Sequence, residues 1–345
     1  MKYTTLPNTD IKVSKICLGT MTYGQQNSEA EGHAQMNYAL DKGVNFFDTA
    51  EMYSIPGKQE TYGSTEKIIG TWLKKTGKRE EIVLASKIAG PSPIFGYMRE
   101  KLDFSAKSIQ YALDHSLQRL QTDYLDLYQL HWPERKTNYF GQRGYKVQDD
   151  AWEDNIHEVL QALDGFVKAG KIKHIGVSNE NPWGMMRFLE ESKHHNLPRI
   201  KTIQNPYSLL NRLFENASAE VCLRENVGLL AYSPMAFGVL SGKFLTGELH
   251  PNARINLFPQ YSRYNSAQCT EATKLYQEVA HKHGLTLTQL ALAFLAQQPF
   301  LTSSIIGATT MAQLKENINT IDVVLSAEIL KEIDAIQAII PDPAP

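Results

Sequence analysis

Cysteine is scarce: Cys17, Cys222 and Cys269 are the only three in 345 residues. Their number is odd and their spacing suits neither a zinc site nor a disulfide framework, which fits a reducing cytoplasm. Charge of one sign is also missing. Lys and Arg number 35 against 37 Asp and Glu, a net charge of −2. A near-neutral chain gives no electrostatic reason to expect nucleic acid or an anionic membrane as partner. No apolar run approaches the roughly 18 residues of a membrane span. Met1-Lys2-Tyr3-Thr4 is not followed by the apolar stretch of a secretory signal. A cytoplasmic protein is expected. No Ser/Gly linker or low-complexity segment divides the chain, so one domain over residues 1–345 is expected. Apolar residues are plentiful at 42%, enough for a sizeable core.

Strand-like and amphipathic runs alternate along nearly the whole sequence. Ile16–Thr20 precedes a helix from Ser28 to Asp41, with Ser28 and Glu31 spaced as a capping box. The run from Val44 to Asp48 precedes Ser64–Lys75, in which Ile68, Ile69, Trp72 and Leu73 share a face. Ile82–Lys87 precedes Ser105–Leu120, and Leu125–His131 precedes Trp152–Ala169. The alternation continues as His174–Asn179 with Met185–His195, Thr202–Tyr207 with Phe214–Arg224, Leu229–Pro234 with Ala267–His283, and Ser303–Ala308 with Met311–Asn319. Eight such pairs imply right-handed βαβ units and closure into an α/β (β/α)8 TIM barrel. The other reading is a doubly wound open sheet. It would want a G-x-G-x-x-G turn after the first strand, and none is present. The residues beyond a minimal barrel fall in an N-terminal hairpin before Ile11, loops near 88–104, 132–151 and 235–265, and extra helices Leu287–Gln297 and Ala327–Ala338. The tail Pro341–Pro345 is expected to be loose.

Titratable groups recur at the ends of consecutive strands. Asp48 and, just beyond it, Tyr53 follow the second, Lys87 ends the third, and His131 ends the fourth. A parallel barrel brings such strand ends into one pocket. Tyrosine is a weak acid, with a reference pKa near 10. An ammonium about 4 Å away favours the phenolate by roughly 4 kcal/mol at an effective dielectric of about 20. Asp48 would hold Lys87 charged, and a neutral His131 would orient a carbonyl oxygen or relay a proton. The set suits protonation of a developing alkoxide; a hydride must come from a cofactor.

These runs resemble the aldo-keto reductases. The likeness is carried by Gly19-Thr20-Met21, Asp48-Thr49-Ala50-Glu51-Met52-Tyr53, Ala85-Ser86-Lys87, the stretch Ser116–Pro133, Gly176-Val177-Ser178-Asn179, Gln204–Arg212, Ala231-Tyr232-Ser233-Pro234 and Gly307-Ala308-Thr309-Thr310. It runs from about Leu6 to Ile339. Within the family it is to the bacterial Tas-like members, and more distantly to potassium-channel β subunits. The resemblance implies NADPH-dependent reduction of a carbonyl substrate. It makes Tyr53 the general acid, Lys87 the group that lowers its pKa, Asp48 the partner of Lys87 and His131 the orienting group. It assigns Thr20 and Met21 to the cofactor site with Asp48. Ser178, Asn179 and Gln204 would bind the carboxamide, and Tyr232 would stack on the nicotinamide. Ser233, Met235 and Lys243 would hold the pyrophosphate. Arg254, Gly307, Thr309, Gln313, Glu316 and Asn317 would lie near the ribose phosphate and adenosine.

Two departures stand out. Ile305-Ile306-Gly307 lacks the proline that many members carry before the glycine. The loop from Arg135 to Asp150 is long, and the segment bearing Trp132, Tyr139, Phe140 and Tyr145 is expected to shape the substrate pocket. Two other functions remain open: a lyase forming a Schiff base on Lys87, and an NADPH-binding regulatory protein with slow turnover. The pairs His194/His195 and His281/His283 sit at helix ends with no third ligand in view, so no metal is expected. Substrate, oligomeric state and reaction direction are not legible.

Overall fold

The structure, a computed structural model, describes residues 1–147 and 151–344. Residues 148–150 of the long loop and Pro345 lie outside the described residues. Strands β1 (Tyr3–Thr5) and β2 (Lys12–Ser14) form an antiparallel hairpin. Eight parallel strands then close a barrel: β3 (Ile16–Gly19), β4 (Phe46–Asp48), β5 (Val83–Ile88), β6 (Leu125–Leu130), β7 (Ile172–Ser178), β8 (Ile200–Pro206), β9 (Gly228–Tyr232) and β10 (Leu301–Ile306). Closure is made by β10 against β3, with Ser304 opposite Ile16 and Ile306 opposite Leu18. Every residue of β3, β4, β5, β6 and β10 is buried. Burial on both faces is why these strands read as apolar runs without alternation.

The connecting helices are α1 (Glu29–Asp41), α2 (Ser64–Thr76), α3 (Ala106–Leu120), α4 (Ile156–Lys168), α5 (Pro182–His195), α6 (Ser218–Glu225), α7 (Arg254–Leu257), α8 (Ala267–Lys282), α9 (Leu287–Ala296), α10 (Met311–Asn319) and α11 (Ala327–Ile339). Ser28 and Glu31 make the expected capping box on α1. Ile68, Ile69, Trp72 and Leu73 are the buried face of α2.

Four elements differ from the sequence reading. Trp152–Asn155 stay outside α4: Asp154 accepts the Ile156 N–H, and the Trp152 indole donates to Asn155 Oδ1 at 3.1 Å. These side-chain bonds satisfy groups that a longer helix would use. The run at Phe214 splits into a 3₁₀ turn (Leu213–Asn216) and α6, broken by the non-helical Ala217. The 235–265 loop holds two 3₁₀ turns and α7. Finally, α9 packs against β10, while α8 packs on α9 and α11 outside it. A helix apolar all round belongs in the inner layer, and eight of the ten residues of α9 are buried.

The tail is not loose over its described part. Ala344 is fully buried and donates its N–H to Leu210, and Asp342 Oδ1 accepts the Arg212 N–H at 2.6 Å. Backbone bonds of this kind tie down a terminus.

Beneath the barrel wall, Glu66 on α2 accepts from Arg119 Nε on α3 at 2.7 Å and from Ser86 Oγ on β5 at 2.6 Å. The carboxylate is fully buried. Removing one partner leaves a buried unpaired charge. Glu66→Ala should therefore lower the unfolding free energy by about 3–5 kcal/mol, read from the midpoint of urea denaturation; an unchanged midpoint would show that the pair contributes nothing.

Candidate active site

Asp48 ends β4, Lys87 lies in β5, and His131 follows β6, so neighbouring strand ends deliver all three to the C-terminal face of the barrel. Asp48 and Lys87 form a salt bridge, with Nζ donating to Oδ2 at 2.6 Å. The same Nζ donates to the Thr49 carbonyl at 2.7 Å and to Tyr53 Oη at 3.4 Å. The Tyr53 and His131 rings meet edge to face, with centroids 5.7 Å apart. The four expected side chains therefore converge on one point.

The protonation states follow from burial. Burial alone pushes the Lys87 ammonium down, but Asp48 and Tyr53 more than offset it and hold Lys87 above its ordinary value. Burial pushes the Tyr53 phenol up; Lys87 pulls against it without winning, and Asp48 adds to the rise. Lys87 acts on Tyr53 in the expected direction, lowering its pKa, but burial outweighs it, so the lysine only limits the increase. Tyr53 rests as a protonated acid. His131 is pushed well below its ordinary value by burial first and by Lys87 second, so it is neutral.

From Asp48 a second line of hydrogen bonds runs across the barrel. Its Oδ1 accepts from Gln204 Nε2 at 2.9 Å and Gln129 Nε2 at 3.3 Å. Ser178 Oγ donates to the Gln204 carbonyl at 2.7 Å. Asn179 Nδ2 donates to the His131 carbonyl at 2.9 Å and to Ser178 Oγ at 3.1 Å, and its Oδ1 accepts from Tyr232 Oη at 2.7 Å. Thr20 Oγ1 donates to the Asp48 carbonyl at 2.8 Å.

A cleft of about 1200 Å³ opens above this floor. Of the residues singled out in the sequence, Lys87 alone lies beneath it. Thr20, Met21, Asp48, Tyr53, His131, Ser178, Asn179, Gln204 and Tyr232 line one part, and Ser233, Met235, Lys243 and Arg254 line another. Gly307, Thr309, Gln313, Glu316 and Asn317 line the end near α10, where Gln313 Oε1 accepts the Thr309 N–H at 2.9 Å. Trp132, Tyr139 and Phe140 also line it, whereas Tyr145 is exposed and does not. This volume exceeds the roughly 300–1,000 Å³ of ordinary small-molecule pockets, which suits an extended cofactor together with a substrate.

Lys243 and Arg254 have no ion-pair partner among the described residues; each rests on a phenylalanine ring. Burial, and then Arg254, push the Lys243 ammonium down. Two unpaired cations in a cleft are a complement to anionic groups such as phosphates. His131 Nδ1 and Arg263 Nη1 are buried without a hydrogen-bond partner among the described residues, and both residues line the same cleft. The residues present therefore fit a dinucleotide.

Sequence reasoning missed Gln129, Glu51 with Arg99, and Arg263. Gln129 offered only an amide within an apolar strand. Glu51 accepts from the Ala89 N–H at 2.7 Å and from Arg99 Nη1 at 2.8 Å, which anchors the loop after β5 below the cleft. It sits inside the Asp48–Tyr53 motif, a signal that could have found it. Arg263 lies beside the phenols of Tyr232 and Tyr264, and nothing in the sequence around it sets it apart from a solvated loop charge.

The barrel, the strand-end tetrad and the cleft define an oxidoreductase of the aldo-keto type. The chain belongs to the aldo/keto reductase family, whose profile matches residues 15–338. It is similar to Protein tas of Escherichia coli, 49% identical over the whole of both chains. It is 33% identical to the uncharacterized oxidoreductase YrpG of Bacillus subtilis, over 97% of this chain and 96% of that one. It is 27% identical to norsolorinic acid reductase B of Dothistroma septosporum, over 95% of this chain and 79% of the other.

Near pH 6.5, where a free imidazole is about half protonated, His131 should remain neutral; its ring nitrogen chemical shifts report this, and an imidazolium there would contradict the burial argument. The unfolded chain takes up a proton that folded His131 refuses, so this residue makes stability fall as pH drops below about 6.5.

Proposed function

We propose that the chain is a single-domain, cytoplasmic, NADPH-dependent reductase that converts an aldehyde or ketone to an alcohol. The observation that carries the reading is Lys87 Nζ, held at 2.6 Å by Asp48 and 3.4 Å from the Tyr53 hydroxyl on the floor of the cleft. A reduced nicotinamide supplies the hydride when bound. The chain's own residues do the rest. Tyr53 gives its phenolic proton to the oxygen that becomes the alcohol. Lys87, kept charged by Asp48, stabilises the phenolate left behind. Neutral His131 orients the carbonyl oxygen. A phenol of raised pKa protonates only a strong base, which ties proton transfer to alkoxide formation. Ser178, Asn179 and Gln204 offer amides and a hydroxyl for the carboxamide, and Tyr232 an aromatic face for the nicotinamide. Ser233, Met235 and Lys243 serve the pyrophosphate. Arg254, Gly307, Thr309, Gln313, Glu316 and Asn317 serve the ribose phosphate and adenosine, where the unpaired Arg254 favours the extra phosphate of NADPH.

Phe95, Trp132, Tyr139 and Phe140 along the cleft favour a bulky apolar or aromatic carbonyl compound over a small polar one. The Asp48 salt bridge stands against a Schiff base on Lys87, which needs a neutral amine.

Tyr53→Phe should lower carbonyl reduction by about 10²–10⁴-fold while NADPH affinity stays within about twofold. Loss of nicotinamide absorbance and a fluorescence titration measure the two; full activity in the variant refutes the role. Arg254→Ala should weaken NADPH more than NADH, and equal losses would place the residue elsewhere.

A further inference from the structure

On the outer wall of the barrel, away from the cleft, three side chains meet. His157 lies near the start of α4, and Glu191 and His195 are one turn apart near the end of α5. His157 Nδ1 is 3.3 Å from Glu191 Oε2, and His195 Nε2 is 3.4 Å from the same oxygen. The imidazole centroids are 4.4 Å apart with the rings at 75°. All three potential ligand atoms lie within 4.8 Å of one another, and none of the residues lines the cleft. We propose that this cluster is a binding site for Zn²⁺, which bridges α4 and α5.

The geometry is that of ligands around an ion. Zinc bonds of about 2.0–2.2 Å to nitrogen and oxygen in a tetrahedron separate neighbouring ligand atoms by roughly 3.3–3.5 Å. Both nitrogen–oxygen distances fall there. They are long for charge-assisted hydrogen bonds, which run at about 2.7–2.9 Å. Two imidazoles and one carboxylate are also an established zinc donor set, with water in the fourth position. Two of the ligands are four residues apart on one helix face, a spacing that already brings them together.

The surroundings favour a dication. Glu191 Oε1 is held by Arg187 Nη2 at 2.9 Å, which orients the carboxylate from outside. Arg187 also pairs with Asp154 and Glu190. One guanidinium thus faces three carboxylates, and the neighbourhood stays negative when both imidazoles are neutral. A second cluster, His283 with Glu328 and Glu332, differs in kind. There the Lys282 ammonium sits 2.9 Å from Glu332 Oε1, the same oxygen that His283 faces, and takes the place of a cation. Nitrogen donors select a first-row transition ion over Mg²⁺.

The experiment is calorimetric titration of the untagged, chelator-treated full chain with ZnCl₂ near neutral pH, with MgCl₂ as control. The expected result is one Zn²⁺ per chain, a higher melting temperature with zinc, and no response to Mg²⁺. His157→Ala and His195→Ala should each weaken binding by at least about tenfold, and His283→Ala should leave it unchanged. Melting curves in EDTA establish that the variants fold, and anomalous density at the zinc edge in wild-type crystals provides a readout that needs no variant. The proposal is overturned if wild type binds no zinc, if the His157 and His195 variants bind as wild type does, or if His283→Ala abolishes binding.

Discussion

The Lys87 ammonium has no contact with water. Burying an unpaired ammonium costs several kcal/mol, so the surrounding structure must compensate it. Asp48 supplies the countercharge, and the Thr49 carbonyl and the Tyr53 hydroxyl take further ammonium protons. Asp48 is in turn constrained by Gln204 from the far side of the barrel and by Gln129 from β6, two strands away. Groups from β4, β5, β6 and β8 are thereby fixed relative to one another by a single neutralisation problem. A loosened barrel would expose the ammonium or leave the carboxylate unmatched, so stability and site geometry are coupled.

The same burial that makes Lys87 costly sets the character of its neighbours. Tyr53 is kept protonated because desolvation of the phenolate outweighs the attraction of Lys87. His131 is kept neutral by burial and by the same lysine. Opposite protonation preferences arise from one environment because desolvation penalises whichever form is charged. At the other end of the cleft the constraint reverses. Lys243 and Arg254 lack carboxylate partners among the described residues, and Arg254 lies close enough to disfavour the Lys243 charge. On the proposed reading, paired charges at the floor serve proton transfer and the cations along the wall serve the anionic groups of the cofactor.

Much of this was legible before folding was considered. Asp48, Lys87 and His131 stand at the ends of apolar runs, with Tyr53 just beyond the first, because strands buried on both faces admit a charge most readily where they emerge. Helix starts such as Ser28 with Glu31 announce themselves, since capping is a contact over three residues. Other features gave no local signal. Gln129 reads as an isolated amide, and its role depends on Asp48 lying two strands away in the closed barrel. The inner place of α9 relative to α8 is a matter of which apolar helix reaches the barrel wall. The anchored tail rests on Leu210 and Arg212, more than a hundred residues away in sequence.

His195 shows the boundary clearly. In sequence it is half of a histidine pair at a helix end; in space it faces Glu191 from its own helix and His157 from the preceding one. The sequence by itself determined the eight-fold alternation, the placement of titratable groups at strand ends and the family, because periodicity and short motifs are encoded over a few residues. Tertiary structure alone decided the net protonation of Tyr53, the hydrogen-bonded line from Asp48 to Tyr232 and the meeting of α4 with α5. Desolvation and contact between distant segments do not exist until the chain has closed on itself.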